Sequence, residues 1–246
     1  MRTVTIRRSV LALVAAAALL AGCGDGGDGG GEPESTGPTD NGVSALAPDE
    51  ILARATTAMK EAKSYRIKGS IKADDGKMDL DLRVAGSDVG GKVSQDGATV
   101  ELLAVGGQEY IRPDATFWQQ NLDSPEAARN VVKLMGDKWA KVPADNKDFA
   151  DLFGVTSVDE MLEPDGPLTK GETRDIDGVQ TIGLVDTSAK GGTIYIATTG
   201  KSYPIALQSK DGAEGQLTFS DFGATFDDVQ APPEAQVVDF EELRRK

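Results

Sequence analysis

The residue best placed to do chemistry in this sequence is its single cysteine, Cys23. It follows the small residues Ala21 and Gly22, and these follow the unbroken apolar run 10–20. Three arginines lie upstream of that run, which is itself too short to span a bilayer. This order is typical of a bacterial lipobox. It predicts cleavage after Gly22, thioether attachment of a diacylglycerol to the Cys23 sulfur, and acylation of the new amino group.

The predicted modification has a consequence for location. Buried acyl chains contribute about 0.8 kcal/mol per CH₂, so two or three chains form a stable anchor. We therefore expect a lipid-anchored protein at the extracytoplasmic face of the cell membrane. The alternative interpretation of the same residues is a plain secretory signal peptide with an incidental cysteine at position 23.

The composition excludes several classes of function. The sequence contains no histidine, which removes Ser-His-Asp and Cys-His catalysis and His-ligated zinc. The formal charge is −14, and cleavage before Cys23 removes three arginines and no acid, so the mature chain carries −17. Such an acidic chain repels nucleic acid. We expect that the protein is not an enzyme and that it binds no cofactor, metal ion or nucleic acid. One alternative stays open, a hydrolase acting through two carboxylates, because such a pair is defined by spatial distance rather than sequence spacing.

The segment after the cysteine predicts a tether. Residues 24–44 are rich in Gly, Pro, Ser, Thr and acids and contain hardly an apolar residue. Such a segment cannot bury enough apolar surface to offset the entropy of ordering it. The sequence therefore divides into a signal peptide (1–22), a lipidated flexible linker (23–44) and one domain (45–246).

The domain begins with a predicted helix over Pro48–Lys63, after which the apolar period changes from 3.6 to 2. Alternation along 65–71 and 78–84 predicts a hairpin with its turn at Asp74–Gly76. A second helix is predicted over Pro125–Met135. Further strands are predicted at 91–95, 99–105, 108–112, 138–142, 168–175, 179–186, 193–198, 204–209, 216–222 and 237–240. This order of elements indicates an α+β fold with one large antiparallel sheet.

Aromatic residues concentrate between Tyr110 and Phe153. Taken singly, each is typical of a core residue between helices and sheet. Taken together they favour an apolar pocket, because a long antiparallel sheet with one apolar face must be covered or must curl. A few short helices cover such a face incompletely.

The order of these segments resembles a known family. A helix ends in Ala62-Lys63-Ser64-Tyr65, an alternating hairpin follows, and the segment Ala235–Asp239 comes after a proline pair. With the lipobox and the acidic, glycine-rich linker, this is similar to the actinobacterial LppX/LprAFG-type lipoproteins and their LolA-like relatives. The resemblance implies a half-open antiparallel β-barrel whose concave face is covered by short helices. It also implies that an acylated lipid or glycolipid is bound in the enclosed cavity and carried between membrane and envelope.

The resemblance carries no catalytic residues, so the predicted lining of the cavity depends on strand alternation. The predicted lining residues are Ile67, Ile71, Leu80, Leu82, Leu102, Tyr110, Trp118, Trp139, Ile194 and Ile196. We expect a monomer that binds a lipid or acylated glycolipid and contacts the membrane through Cys23, with a membrane transporter or sensor as a further candidate partner. The alternative function is an envelope sensor or partner-binding module of the same fold with no transported ligand.

Overall fold

Alternating apolar residues build one large sheet, the main feature of the computed structural model. The structure describes residues 39–73, 76–143, 153, 161–189, 191–210 and 215–239. The strands are β1 (Ser64–Ala73), β2 (Gly76–Ala85), β3 (Asp88–Gln95), β4 (Ala98–Val105), β5 (Gln108–Pro113), β6 (Trp139–Lys141), β7 (Leu168–Ile176), β8 (Val179–Asp186), β9 (Gly192–Ala197), β10 (Pro204–Ser209), β11 (Gln216–Ser220) and β12 (Val237–Asp239). The helices are α1 (Pro48–Ala62), α2 (Ala115–Asn121) and α3 (Pro125–Met135).

The twelve strands form one sheet in the order β12-β6-β5-β4-β3-β2-β1-β11-β10-β9-β8-β7. Every neighbouring pair is antiparallel except β12 with β6, which is parallel. The sheet is curved and unclosed, with β12 and β7 as its two edges. The α+β half-barrel expected from the sequence is therefore confirmed.

Two helices form where the sequence predicts them, for local reasons. In α1, Pro48 occupies the first turn and the Glu50 carboxylate accepts the Ala47 N–H at 3.0 Å. The helix ends one residue before the prediction, because Lys63 has a left-handed conformation (φ 62°). In α3, the Ser124 hydroxyl accepts the Ala127 N–H at 3.1 Å, and Gly136 terminates the helix.

The sequence did not predict α2 as a separate helix. Its start depends on Asp114, whose carboxylate accepts the N–H of Phe117 at 2.8 Å and that of Thr99 in β4 at 3.0 Å. The same side chain therefore caps the helix and ties it to the sheet. This position brings Trp118 into the core, where it is 6% exposed.

The two faces of the sheet differ in composition. The inner face, which carries Ile67, Leu82 and Leu102, packs against the helices. Over β1–β5 it forms one hydrophobic cluster with α2 and α3, and over β8–β9 a second cluster with α1 and Val43. The outer face carries ion pairs. These are Arg66–Asp81, Arg83–Asp228 and Arg112–Glu101.

The segment between β11 and β12 crosses the outer face. Asp228 pairs with Arg83 of β2 at 2.9 Å, and Val229 lies against Gly90 of β3. A Cβ at Gly90 would lie 3.1 Å from a Val229 methyl carbon, so glycine gives this segment room to pass. The segment thereby reaches the far edge, where β12 pairs with β6.

The folded unit begins earlier than the sequence predicts. The boundary was expected at residue 45, yet Val43 is fully buried in the second cluster. The Asn41 amide donates to the carbonyl oxygens of Ala197 and Gly200, both at 3.1 Å. One apolar side chain and one amide thus dock the end of the predicted linker on the domain. Residues 1–38, with Cys23 and most of the linker, and the turn residues Asp74 and Asp75 lie outside the described residues.

Candidate functional site

Four strands place apolar side chains in one row across the inner face. Their register makes Leu217 the neighbour of Leu207, Leu207 that of Ile194, and Ile194 that of Leu184. We call these four residues the apolar row. Leu184, Ile194 and Leu217 are buried and Leu207 is half-buried, so Leu207 is the most accessible member.

A second set of inner-face positions lies two residues from the apolar row, on the same side of it in all four strands. Each of these positions carries a small or polar group. We call this set the second row, and its members are Asp186, Gly192, Ser209 and Gly215. Ser209 opposes Gly192, and its N–H donates to the Gly215 carbonyl oxygen at 3.1 Å. Gly215 has φ 138°, and a Cβ there would overlap the Ser70 carbonyl oxygen, so the position requires glycine.

A cavity of about 390 Å³ lies against both rows. It is partly open, and two of the four second-row residues contribute no side chain to fill it. The end of β1 and the segment that precedes β7 form its other walls. Besides the two rows, its lining residues are Ser70, Ile71, Lys72, Met161, Glu163, Pro164, Asp165, Leu168, Gly191, Gln208 and Gln216.

The charges of the cavity lie at its rim and are mostly negative. Lys72, Glu163 and Asp165 are exposed, whereas Asp186 is 9% exposed. The Asp186 carboxylate accepts the N–H groups of Ser188 and Asp165, each at 2.8 Å. These bonds, chiefly that from Ser188, lower the pKa of Asp186, so it stays ionised near neutral pH.

One polar atom of the second row has no partner. The Ser209 Oγ is shielded from solvent and makes no hydrogen bond within the described structure. The Ser209 side chain is nevertheless part of the cavity lining. A buried hydroxyl without a partner is unusual in a folded protein, because it has lost its hydrogen bonds to water.

Within the described ranges, no group of three or more Asp, Glu, Cys or His side chains could hold a metal ion. Nor does this part of the chain contain a helix long and apolar enough to cross a membrane. The cavity presents an apolar wall and a charged rim to a ligand.

The predicted lining residues lie in three places. Ile71 and Ile194 are on the cavity wall. Six others are buried members of the two hydrophobic clusters and fill the core. These are Ile67, Leu80, Leu82, Leu102, Trp118 and Ile196.

The remaining two, Tyr110 and Trp139, lie on the opposite face of the sheet, which corrects the prediction. In β5 it is Ile111 that faces inward, fully buried, opposite Leu102 and Ala140. The adjacent Tyr110 therefore points outward. The Trp139 ring lies 4.6 Å from the Arg112 guanidinium on the outer face. Both errors come from a one-residue difference in strand register, which inverts the face of every side chain.

Sequence reasoning missed most of the cavity wall. The signal lay in residue size rather than in hydrophobicity. Gly192 and Gly215 stand at inner-face positions two residues from Ile194 and Leu217, each just outside a strand that the sequence predicts. Small residues on an otherwise apolar face leave space above the sheet, but alternation counts only apolar residues and passes over them.

The structure is similar to solved structures, although no protein-family model and no curated protein matches the chain. Over 75% of this chain and 96% of the other, the structure matches LprF from Mycobacterium bovis with a TM-score of 0.50 and 13% identity. The lipoprotein LppX from Mycobacterium tuberculosis matches over 73% and 98% of the two chains, with a TM-score of 0.43 and 18% identity. An uncharacterized conserved protein from Thermus thermophilus matches over 78% and 98%, with a TM-score of 0.40 and 12% identity.

The match with LprF spans nearly all of that protein and three quarters of this chain. Since the identity is low, the match concerns the fold rather than particular residues. The chain therefore has the fold of LprF, in agreement with the sequence resemblance to the LppX/LprAFG-type lipoproteins.

Proposed function

We propose that this protein is a membrane-anchored extracytoplasmic lipoprotein that binds or transports a lipid, or an acylated glycolipid, in the inner-face cavity. The observation that supports this proposal is the cavity of about 390 Å³ between an apolar row and a charged rim. An amphiphile matches that arrangement, with its alkyl chain on the apolar row and its head group at the rim.

The size and lining of the cavity support a small amphiphilic ligand. Ligand pockets commonly have volumes of about 300–1,000 Å³ and mainly apolar walls with a few polar groups. Each methylene that leaves water for an apolar wall contributes about 0.8 kcal/mol. An alkyl chain therefore gains binding energy on the apolar row that a small polar solute does not.

The predicted anchor fits the same function. Acylation of Cys23 would hold the domain at the membrane, and the linker would let the cavity meet the bilayer repeatedly at high effective concentration. Mass spectrometry of the intact mature protein tests the anchor, since a diacylglyceryl group adds a defined mass to the peptide that begins at Cys23.

We propose binding rather than catalysis for two reasons. The sequence has no histidine to act as a general base near neutral pH. The buried carboxylate of the cavity, Asp186, accepts backbone N–H groups with both oxygens, so it is committed to structure.

The test is to fill the cavity at the accessible member of the apolar row. In Leu207→Trp the larger side chain occupies space that the ligand would use. Native mass spectrometry of the intact protein, with organic extraction, identifies any bound lipid, and a pyrene-labelled alkane reports uptake. We expect a lipid and probe binding in the wild type and a loss of at least tenfold in probe affinity in Leu207→Trp.

Thr218→Trp is the matched control, because Thr218 lies on β11 but faces outward, where its hydroxyl donates to the Lys68 carbonyl oxygen. It should bind the probe as the wild type does. A wild-type protein free of lipid that takes up no probe would contradict the proposal and favour the envelope-sensor alternative.

A further inference from the structure

The Ser209 hydroxyl is the one feature of the cavity that an apolar chain alone would leave unexplained. Its Oγ is buried and makes no hydrogen bond in the described structure, while the side chain forms part of the cavity wall. A buried donor without an acceptor is costly, and a serine in such a place gains nothing over alanine unless something bonds to it.

The second row offers Ser209 no protein partner. Its neighbours on either side, Gly192 and Gly215, have no side chains, and the Gly215 carbonyl oxygen already accepts the Ser209 N–H. No hydrogen bond holds the hydroxyl in its present rotamer, so it is free to rotate about χ1 between staggered positions, and Ser209 is one of the residues that line the cavity. A ligand atom in the cavity can then serve as the acceptor.

The position of Ser209 along its strand indicates which part of a ligand it meets. Leu207 of the apolar row lies two residues away on the same face, whereas the charged Asp186 belongs to the same row as Ser209. Two residues of a strand span roughly 7 Å. Ser209 therefore stands where the apolar row gives way to small and polar groups, which is where the linkage of an acyl lipid would lie.

The surrounding charge selects against an anionic linkage. The carboxylates of Asp186, Glu163 and Asp165 line the cavity, and Lys72 is the only cation among its described lining residues. The low pKa of Asp186 keeps its charge in place at neutral pH. A free fatty-acid carboxylate near Ser209 would be repelled, whereas an uncharged carbonyl oxygen would not.

We propose that Ser209 is a specificity-determining residue that donates a hydrogen bond to the ester carbonyl of an acyl lipid whose alkyl chain lies on the apolar row. This inference rests on the proposed lipid-binding function and deepens it. The favoured ligand is an uncharged acyl ester, with a free fatty acid and a plain hydrocarbon as weaker ligands of the same cavity.

The experiment measures three probes of similar length on the intact protein: methyl palmitate, palmitate and heptadecane. Each is delivered from cyclodextrin at neutral pH, and its affinity is read from displacement of a pyrene-labelled alkane. In Ser209→Ala we expect about a fivefold loss of affinity for methyl palmitate, as one neutral hydrogen bond implies. The affinity for heptadecane should stay unchanged. In the wild type, methyl palmitate should bind more tightly than palmitate.

Two further variants separate the hydroxyl from other effects. Ser209→Thr keeps the donor and should retain the preference for the ester. Ser220→Ala removes a hydroxyl from the outer side of β11, where it bonds to Asp221, and should bind all three probes normally. Unchanged ester affinity in Ser209→Ala, or tighter wild-type binding of palmitate than of its ester, would overturn the inference and leave lipid binding intact. Failure of the wild type to bind any probe would overturn the inference together with the proposed function.

Discussion

Two halves of the same inner face carry similar side chains yet have different structures. In the packed half, over β1–β5, Ile67, Leu82 and Leu102 are almost completely buried beneath α2 and α3. In the cavity half, over β8–β11, the apolar row borders about 390 Å³ of unfilled space. The packed half is not perfectly filled either, since a hollow of about 230 Å³ remains beneath α2 near Met78.

The difference arises from what covers each half and from the row beside it. Trp118, Ala128 and Met135 of α2 and α3 are buried in the packed half. In the cavity half, α1 and Leu162 pack with Leu184 and Ile194 of the apolar row, whereas the second row contributes two glycines and a serine. Apolar residues on a strand therefore indicate a face that must leave water, but the size of their neighbours decides between a core and a cavity.

The prediction with the largest expected effect on stability tests whether the two halves differ in packing. Leu82→Ala removes a fully buried side chain from the packed half and should lower the free energy of unfolding by about 3 kcal/mol. Leu207→Ala should cost only about 1 kcal/mol, because Leu207 is half-buried and already borders open space. Urea unfolding of the intact protein measures both. Equal losses would mean that the cavity half is as closely packed as the other.

The second prediction uses one glycine from each half. Gly91 has φ 152° and Gly215 has φ 138°, and a Cβ on either would overlap a backbone carbonyl oxygen, that of Asp81 or of Ser70. Each change to alanine should destabilise the fold by roughly 2 kcal/mol. Binding of the pyrene-labelled alkane should fall in Gly215→Ala alone, because Gly215 lines the cavity and Gly91 does not.

Gly97→Ala is the control for this pair. Gly97 also has a positive φ, 81°, but a Cβ there meets nothing within 4 Å. Gly97→Ala should lower the free energy of unfolding by about 1 kcal/mol, which is the cost of a left-handed conformation without a clash. A larger loss in Gly97→Ala than in Gly215→Ala would argue against the close backbone contact at β1.

The prediction with the smallest expected effect on stability compares two ion pairs on the outer face of the sheet. On the packed half, Arg66 donates two hydrogen bonds to Asp81, at 2.8 and 2.7 Å, and these lower the pKa of Asp81. A carboxyl group with a lowered folded-state pKa stabilises the protein above its unfolded pKa, and this stability is lost as the pH falls through the folded value. Asp81→Asn should therefore cost about 1 kcal/mol at pH 7 and progressively less below about pH 4.

The matched change lies beside the cavity half: Glu172→Gln removes the partner of Arg174 on the edge strand β7, which pairs with β8. Both of those side chains are largely exposed, at 66% and 46%, so solvent screens the pair and we expect no measurable change in stability. Thermal unfolding from pH 3 to 7 distinguishes the two pairs. A pH-independent loss in Asp81→Asn would show that the ion pair is not its cause.

Elements with local signals were predicted well. The strands expected at 179–186 and 204–209 have those bounds in β8 and β10, and α3 runs from Pro125 to Met135. Their limits depend on turn glycines and on a cap and terminator that lie within a few residues. The helix α2 was missed because its capping residue, Asp114, acts partly through Thr99, a contact between distant positions in the chain.

The candidate site was less predictable than the fold. Of the residues predicted to line a cavity, Ile71 and Ile194 lie on its wall, and Ser209 was not considered at all. Alternation identifies which residues share a face, but a face is assigned as inner or outer only by its register with the next strand. The positions of Tyr110 and Trp139 depend on that register.

The sequence by itself determined the kind of fold, the order of its elements, the acidic charge and the absence of histidine chemistry. It also contains the lipobox pattern that predicts the anchor at Cys23. The tertiary structure alone decided which apolar residues became core and which became cavity wall. The physical reason is that this outcome depends on what lies opposite each side chain. For Leu184 and Ile194, that is decided by contacts with α1 and Leu162, which are distant in the chain.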